Sequence, residues 1–151
     1  MTSHIALAFF LILTLGGGLL IGFLFRPGER YAKLSKPWFT PPAPIFAPVW
    51  ILLYILIAVV GLRTFMHSAS GPAMMAWVVA LALNFIWSPI FFGAHKPVVA
   101  LATIVALFAT ILAFIAFSWP DDLVSTLLFA AYAGWVAFAA LLNVAICRLN
   151  T

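Results

Sequence analysis

The chain has 151 residues, 67% of them hydrophobic and only 7% charged, with a formal net charge of +4. An ordinary soluble domain carries about 25% charged residues, so too little polar surface exists here to hold the chain in water. That composition argues against a soluble domain or a nucleic-acid partner and places the chain in a lipid bilayer.

Five apolar segments of span length follow one another, at residues 5–25, 45–62, 73–92, 97–119 and 123–147. At ~1.5 Å rise per residue, some twenty residues cross a hydrocarbon core of about 30 Å. The predicted fold is therefore all-α, one domain of five transmembrane helices. No basic region precedes the first segment and no small-residue cleavage site follows it, so a retained helix is expected rather than a removed signal peptide. Pro, Gly and polar residues punctuate each boundary, at 26–30, 67–72, 93–97 and 120–122. The last three links are short, which requires antiparallel neighbours.

Between the first two spans runs a long loop containing Lys36-Pro37-Trp38-Phe39-Thr40-Pro41-Pro42, which leads directly into the second span. Irregular backbone is tolerated at membrane depth only at the water interface or over a protein cavity. A stiff aromatic lid over a covered pocket is the expectation. With five spans, this loop, the third loop and the C-terminus share one side carrying Arg26, Arg30, Lys33, Lys36, Lys96 and Arg148, against Arg63 on the other. The positive-inside rule then places the lid and the C-terminus in the cytoplasm and the N-terminus outside. Attraction to anionic lipid headgroups accounts for the same charge without a ligand. Cys147 is the only cysteine, so no intrachain disulfide can form.

Depth sorts the tryptophans. Trp77 opens the third span and Trp119 closes the fourth, where indoles commonly sit among headgroups. Trp135 lies about twelve residues into the fifth span, roughly 18 Å deep. Helical spacing then forms three rows: Phe46, Trp50 and Tyr54; Asn84, Trp87 and Phe91; and Tyr132, Trp135, Phe138 and Ala139. Together with Asn143 these rows describe an apolar, aromatic small-molecule site with a few polar groups. A packed core without a cavity is the alternative reading of the same rows.

Lys36-Pro37 with Pro41-Pro42, Pro48-Val49-Trp50 followed by Leu53-Tyr54, Leu83-Asn84 with residues 87–93 (Trp-Ser-Pro-Ile-Phe-Phe-Gly), Tyr132 with Trp135, and Phe138-Ala139 with Leu142-Asn143 form an ordered set over nearly the whole chain. In these motifs the chain resembles the translocator protein family, the tryptophan-rich sensory proteins of bacteria and the peripheral benzodiazepine receptor of mitochondria. The resemblance implies a receptor or sensor in a bacterial membrane whose first loop lids a pocket for porphyrins, such as protoporphyrin IX and haem, and for sterol-like and benzodiazepine-type ligands. Its implied pocket positions are Trp50, Asn84, Trp87, Trp135 and Ala139, with lid aromatics Trp38 and Phe39. It also implies light-driven porphyrin degradation involving Trp50 and Trp135, and a homodimer, for which Ala76 with Ala80 or Gly18 with Gly22 offer small-residue contacts. Passive carriage of tetrapyrroles is the rival function. No cofactor is required, since the porphyrin is itself the ligand.

Two departures stand out. Val144 replaces the central Tyr of the cholesterol-recognition pattern, which puts cholesterol in doubt, and Ala131 replaces a Pro before Tyr132, which implies a less kinked fifth helix. A flat macrocycle can stack on indole and phenyl rings, with its propionates met by Arg30, Lys33, Lys36 or Arg148. His95 and Cys147 lie outside the expected pocket wall, so no metal site is expected. All three acids and all three histidines fall outside the spans, which argues against proton-coupled transport and against hydrolysis by a base-activated nucleophile.

Overall fold

The computed structural model describes residues 2–151 and contains five membrane-length helices, with no strand among those residues. They are the first span Ser3–Leu24, the second Ala43–His67, the third Pro72–Gly93, the fourth Pro97–Ser118 and the fifth Leu123–Leu149. Local chemistry starts them. Thr2 caps the first through the Ile5 amide, Pro72 and Pro97 occupy first-turn positions where an N–H has no partner, and Asp122 caps the fifth through the Ser125 amide. The second helix continues past the expected Leu62 to His67, because nothing between them breaks a helix. The fifth is one uninterrupted α-helix through Ala131 and Tyr132. π-helical turns occupy Ile12–Gly16 in the first span and Pro89–Gly93 at the end of the third.

Around the bundle the first span packs on the second, the second on the fifth, the fifth on the fourth, the fourth on the third and the third on the first. The second also touches the third across the middle. Lipid tails are as apolar as leucine, so these contacts are held by close packing and by interhelical hydrogen bonds. Phe10, Ile57, Ile104, Ile111, Phe114, Phe129 and Val136 fill the interior, while Ile12, Leu52 and Leu127 face outward as lipid demands.

Trp77 is a correction to the headgroup reading. It is only 2% exposed, and its Nε1–H donates to the Ile57 carbonyl at 2.9 Å. Gly61 makes this possible: a Cβ there would stand 2.5 Å from the Trp77 ring. Trp119, by contrast, is 62% exposed.

On the face opposite the lid, Arg63 grips Asp122 through Nε (3.2 Å) and Nη2 (2.9 Å). Burial alone would raise the Asp122 carboxyl, but hydrogen bonds from Arg63 and Ser125 outweigh it and hold the group down at about 2. The only Lys or Arg of that face is thus neutralised, which sharpens the charge difference between the two faces.

Candidate functional site beneath the lid

The lid begins with a short helix, Glu29–Lys33, and then runs extended to the second span. Asn150 clamps it to the end of the fifth helix. Its Oδ1 accepts from the Ser35 amide at 3.0 Å, and its Nδ2 donates to the Ser35 carbonyl at 2.9 Å and to Ile146 at 2.7 Å. Lys36 folds back over the Tyr31 ring at 4.7 Å and donates to the Ala32 and Leu34 carbonyls. Phe39 turns inward to Phe138, with ring centroids 6.2 Å apart. Trp38, expected to contact ligand, is 93% exposed and reaches only Phe39.

Beneath Phe39 the second and fifth spans meet through aromatic side chains. Trp135 lies 5.5 Å from Phe138, 6.3 Å from Phe46 and 6.3 Å from Trp50, the last two edge-to-face. Such pairs are favourable by about 0.5–1.5 kcal/mol beyond their area. The Trp135 Nε1–H is buried here and has no hydrogen-bond partner. A buried indole N–H usually finds one, so the site holds an unspent donor pointed among apolar rings.

Trp50 continues into Tyr54 at 5.8 Å, and Tyr54 starts a polar chain across the bundle. Its hydroxyl donates to Asn84 Oδ1 at 3.0 Å, and Asn84 Nδ2 donates in turn to the Tyr132 hydroxyl. Thr14 ties the first span to the same place by donating to the Tyr54 carbonyl at 2.8 Å. Gly18 lets the Tyr54 ring lie against the first span, since a Cβ there would come within 2.2 Å of it. Gly18 is therefore spent on intramolecular packing, while Gly22 meets nothing within 4 Å. Both ends of the Asn84 amide are engaged by protein.

Trp87, Phe91 and Asn143 form a second group. Trp87 stacks on Phe91 at 4.9 Å and donates through Nε1 to Asn143 Oδ1 at 3.1 Å; Asn143 Nδ2 donates to the Pro97 carbonyl at 2.9 Å. The third, fourth and fifth spans are bolted together there. Ala139 packs half-buried against the main core. Besides Trp38 and Ala139, the other ten of the twelve expected residues divide: Phe39, Phe46, Trp50, Trp135 and Phe138 cluster under the lid, Tyr54 and Asn84 adjoin them, and Trp87, Phe91 and Asn143 join Tyr31 and Phe92 elsewhere.

The rings beneath the lid meet one another edge-on, Trp135 with Phe46 and with Trp50. A flat ring held between two aromatic faces needs about 7 Å, twice a carbon contact distance of ~3.5 Å, so a macrocycle stacked between those particular rings would have to part them. Sequence reasoning missed Asn150, for which no local signal exists. It also missed Tyr31, whose position inside a basic run was the available clue.

The profile of the TspO/MBR family matches residues 9–149. Among characterised relatives, "Protein CrtK" of Rhodobacter capsulatus is 36% identical over 85% of this chain and 83% of its own length. "Tryptophan-rich protein TspO" of Archaeoglobus fulgidus is 38% identical over 80% and 79%, and "Translocator protein" of Sus scrofa is 35% identical over 96% and 89%. With the match spanning all five helices and the cluster beneath the lid, this multi-pass membrane protein belongs to the TspO/MBR family.

Proposed function

We propose that the protein is a membrane receptor or sensor that binds porphyrins, protoporphyrin IX and haem among them, at the aromatic cluster beneath the lid. The observation that carries this reading is the orphaned Nε1–H of Trp135 among Phe46, Trp50 and Phe138. Leaving such a donor unpaired costs about 1–3 kcal/mol, a cost that a ligand acceptor removes. The surrounding rings supply flat apolar surface, and Lys33, Lys36 and Arg148 at the lid-side mouth can meet propionates. Trp50 and Trp135, set edge-to-face, are the residues we assign to light-driven, dioxygen-consuming loss of bound porphyrin: an indole gives one electron to the excited macrocycle and is left as its radical cation, the reduced macrocycle passes that electron to dioxygen, and the reduced oxygen so formed is the oxidant of the ring. Titration of the purified protein with protoporphyrin IX tests the site. Saturable quenching of tryptophan emission is expected, and its absence would remove the proposal.

We place the lid face in the cytoplasm on the distribution of Lys and Arg; a cysteine introduced at Ser35 in a Cys147→Ser chain should be labelled only from that side. For a homodimer we favour the apolar groove of about 500 Å³ beside Ala76, between the third and fourth spans. Ala76, itself only 6% exposed, lines that groove, whereas Ala80, at 2%, does not. Cross-linking between copies through a cysteine at Met75 is the check.

A further inference from the structure

On the lid face, away from the tryptophan cluster, a half-enclosed recess of about 200 Å³ opens between the short helix Glu29–Lys33, the end of the third span and the C-terminal turn of the fifth. Tyr31, Phe91 and Phe92 line its apolar side, with Tyr31 set edge-on to both phenyl rings at 6.1 and 5.3 Å. Arg30 and His95 stand at its polar side, and Asn150 closes the wall with its amide already committed to Ser35 and Ile146. Drug-sized ligands occupy pockets of about 300–1,000 Å³, so a porphyrin does not fit. A small amphiphile does.

His95 carries the argument further. Its φ of 55° is the left-handed region, and no other described non-glycine residue adopts it. The turn that requires it ends the third span, where the Ala94 amide donates to Pro89 at 2.8 Å and the Lys96 amide to Ile90 at 3.1 Å. Glycine fills such positions without steric cost, yet Gly93 lies two residues earlier at an ordinary negative φ. Strained residues of this kind cluster at functional sites. His95 and Arg30, both exposed, line the recess together, and among the described residues neither side chain is hydrogen-bonded to protein.

We propose that this recess binds a phosphate ester, the planar fork of Arg30 and the ring N–H of His95 holding the phosphate oxygens while the aromatic side takes the adjoining apolar portion. Of the three Asp and Glu side chains only Glu29 is on this face, since Asp121 and Asp122 lie at the other end of the bundle. A lipid headgroup and a soluble phosphate ester offer the same chemistry. The recess opens at the membrane surface, where either can reach it.

The test is a calorimetric titration of the full chain in maltoside micelles at 150 mM salt with dihexanoyl phosphatidylglycerol, dihexanoyl phosphatidylcholine and sn-glycerol 3-phosphate. One saturable site per chain for phosphatidylglycerol is expected. Arg30→Gln should weaken it about tenfold, as expected for loss of a charge-assisted hydrogen bond. His95→Gly should weaken it several-fold without lowering the melting temperature, because glycine suits that backbone. Lys96→Gln, on the same face but outside the recess, should leave it unchanged. Comparable binding of glycerol phosphate identifies a soluble ester as sufficient; binding of the lipid alone identifies the headgroup with its acyl chains. Equal losses in Arg30→Gln and Lys96→Gln, or wild-type affinity in His95→Gly, would reduce the site to diffuse surface charge and overturn the proposal.

Discussion

Replacing Trp135 by Phe separates a ligand donor from a packing residue. The smaller ring leaves a space beside Trp50 and Phe46, which costs about 1 kcal/mol by the rules for near-isosteric core changes. The same change deletes a buried N–H that has no partner, and relief of that desolvation returns about 1–3 kcal/mol. The unliganded variant should therefore be as stable as the wild type or slightly more so. Binding has the opposite sign. If the indole donates to the ligand, the variant has no unpaired-donor cost of about 1–3 kcal/mol for binding to remove, and protoporphyrin weakens about five- to hundredfold. Light-dependent loss of porphyrin absorbance should slow as well, with dark controls flat. Thermal melts in detergent, fluorescence titration and illuminated absorbance scans on the same preparation read the three effects. A falling melting temperature with unchanged affinity would make Trp135 an ordinary core residue. Bleaching equal to that of porphyrin in detergent alone would leave a binding site without chemistry.

Gly18→Ala should destabilise by up to about 2 kcal/mol, because overpacking against a hydrogen-bonded Tyr54 ring, at about 1–3 kcal/mol, is offset by only about 1 kcal/mol of gained helix propensity. Gly22→Ala, with open space around it, should be neutral or stabilising; equal effects in thermal melts would refute the packing assignment. Asn150→Ala removes the clamp on the lid, so limited trypsin treatment should cut after Arg30 or Lys33 several-fold faster than in the wild type, and unchanged cleavage would show that the clamp does not hold the loop. For Asp122 the carboxyl lies at about 2 in the folded chain against about 3.9 unfolded. A depressed carboxylate contributes stability above its unfolded value and loses it as pH falls from about 4 toward 2. Asp122→Asn should therefore melt earlier than wild type at pH 6, with the difference shrinking at pH 3, and a pH-independent difference would mean that the Arg63 pair is not its source.

Membership of the lipid phase, the number of helices and most of their boundaries were legible in the sequence, because each follows from quantities local to a segment. Length against bilayer thickness, the position of Pro and Gly, and the count of Lys and Arg require no partner. The aromatic rows were legible for the same reason, since helical spacing alone puts Phe46 over Trp50 and Trp135 beside Phe138. What those rows face depends on which helices become neighbours. Depth assigned Trp77 to the headgroups, but Gly61 on another span opened a place for its ring and the Ile57 carbonyl met its N–H. Gly18 and Gly22 look equivalent along one helix, and only the Tyr54 ring distinguishes them. Asn84 and Asn143 read as polar groups in lipid; the partners they hydrogen-bond, Tyr54, Tyr132, Trp87 and Pro97, arrive from other spans. Trp38 and Phe39 are adjacent in the chain with their rings edge-to-face, yet only Phe39 reaches Phe138 on the fifth span, under a lid that Asn150 holds at Ser35, 115 residues away in sequence. A lone polar or aromatic group carries its own chemistry in the sequence, but its partner is chosen by packing at a distance.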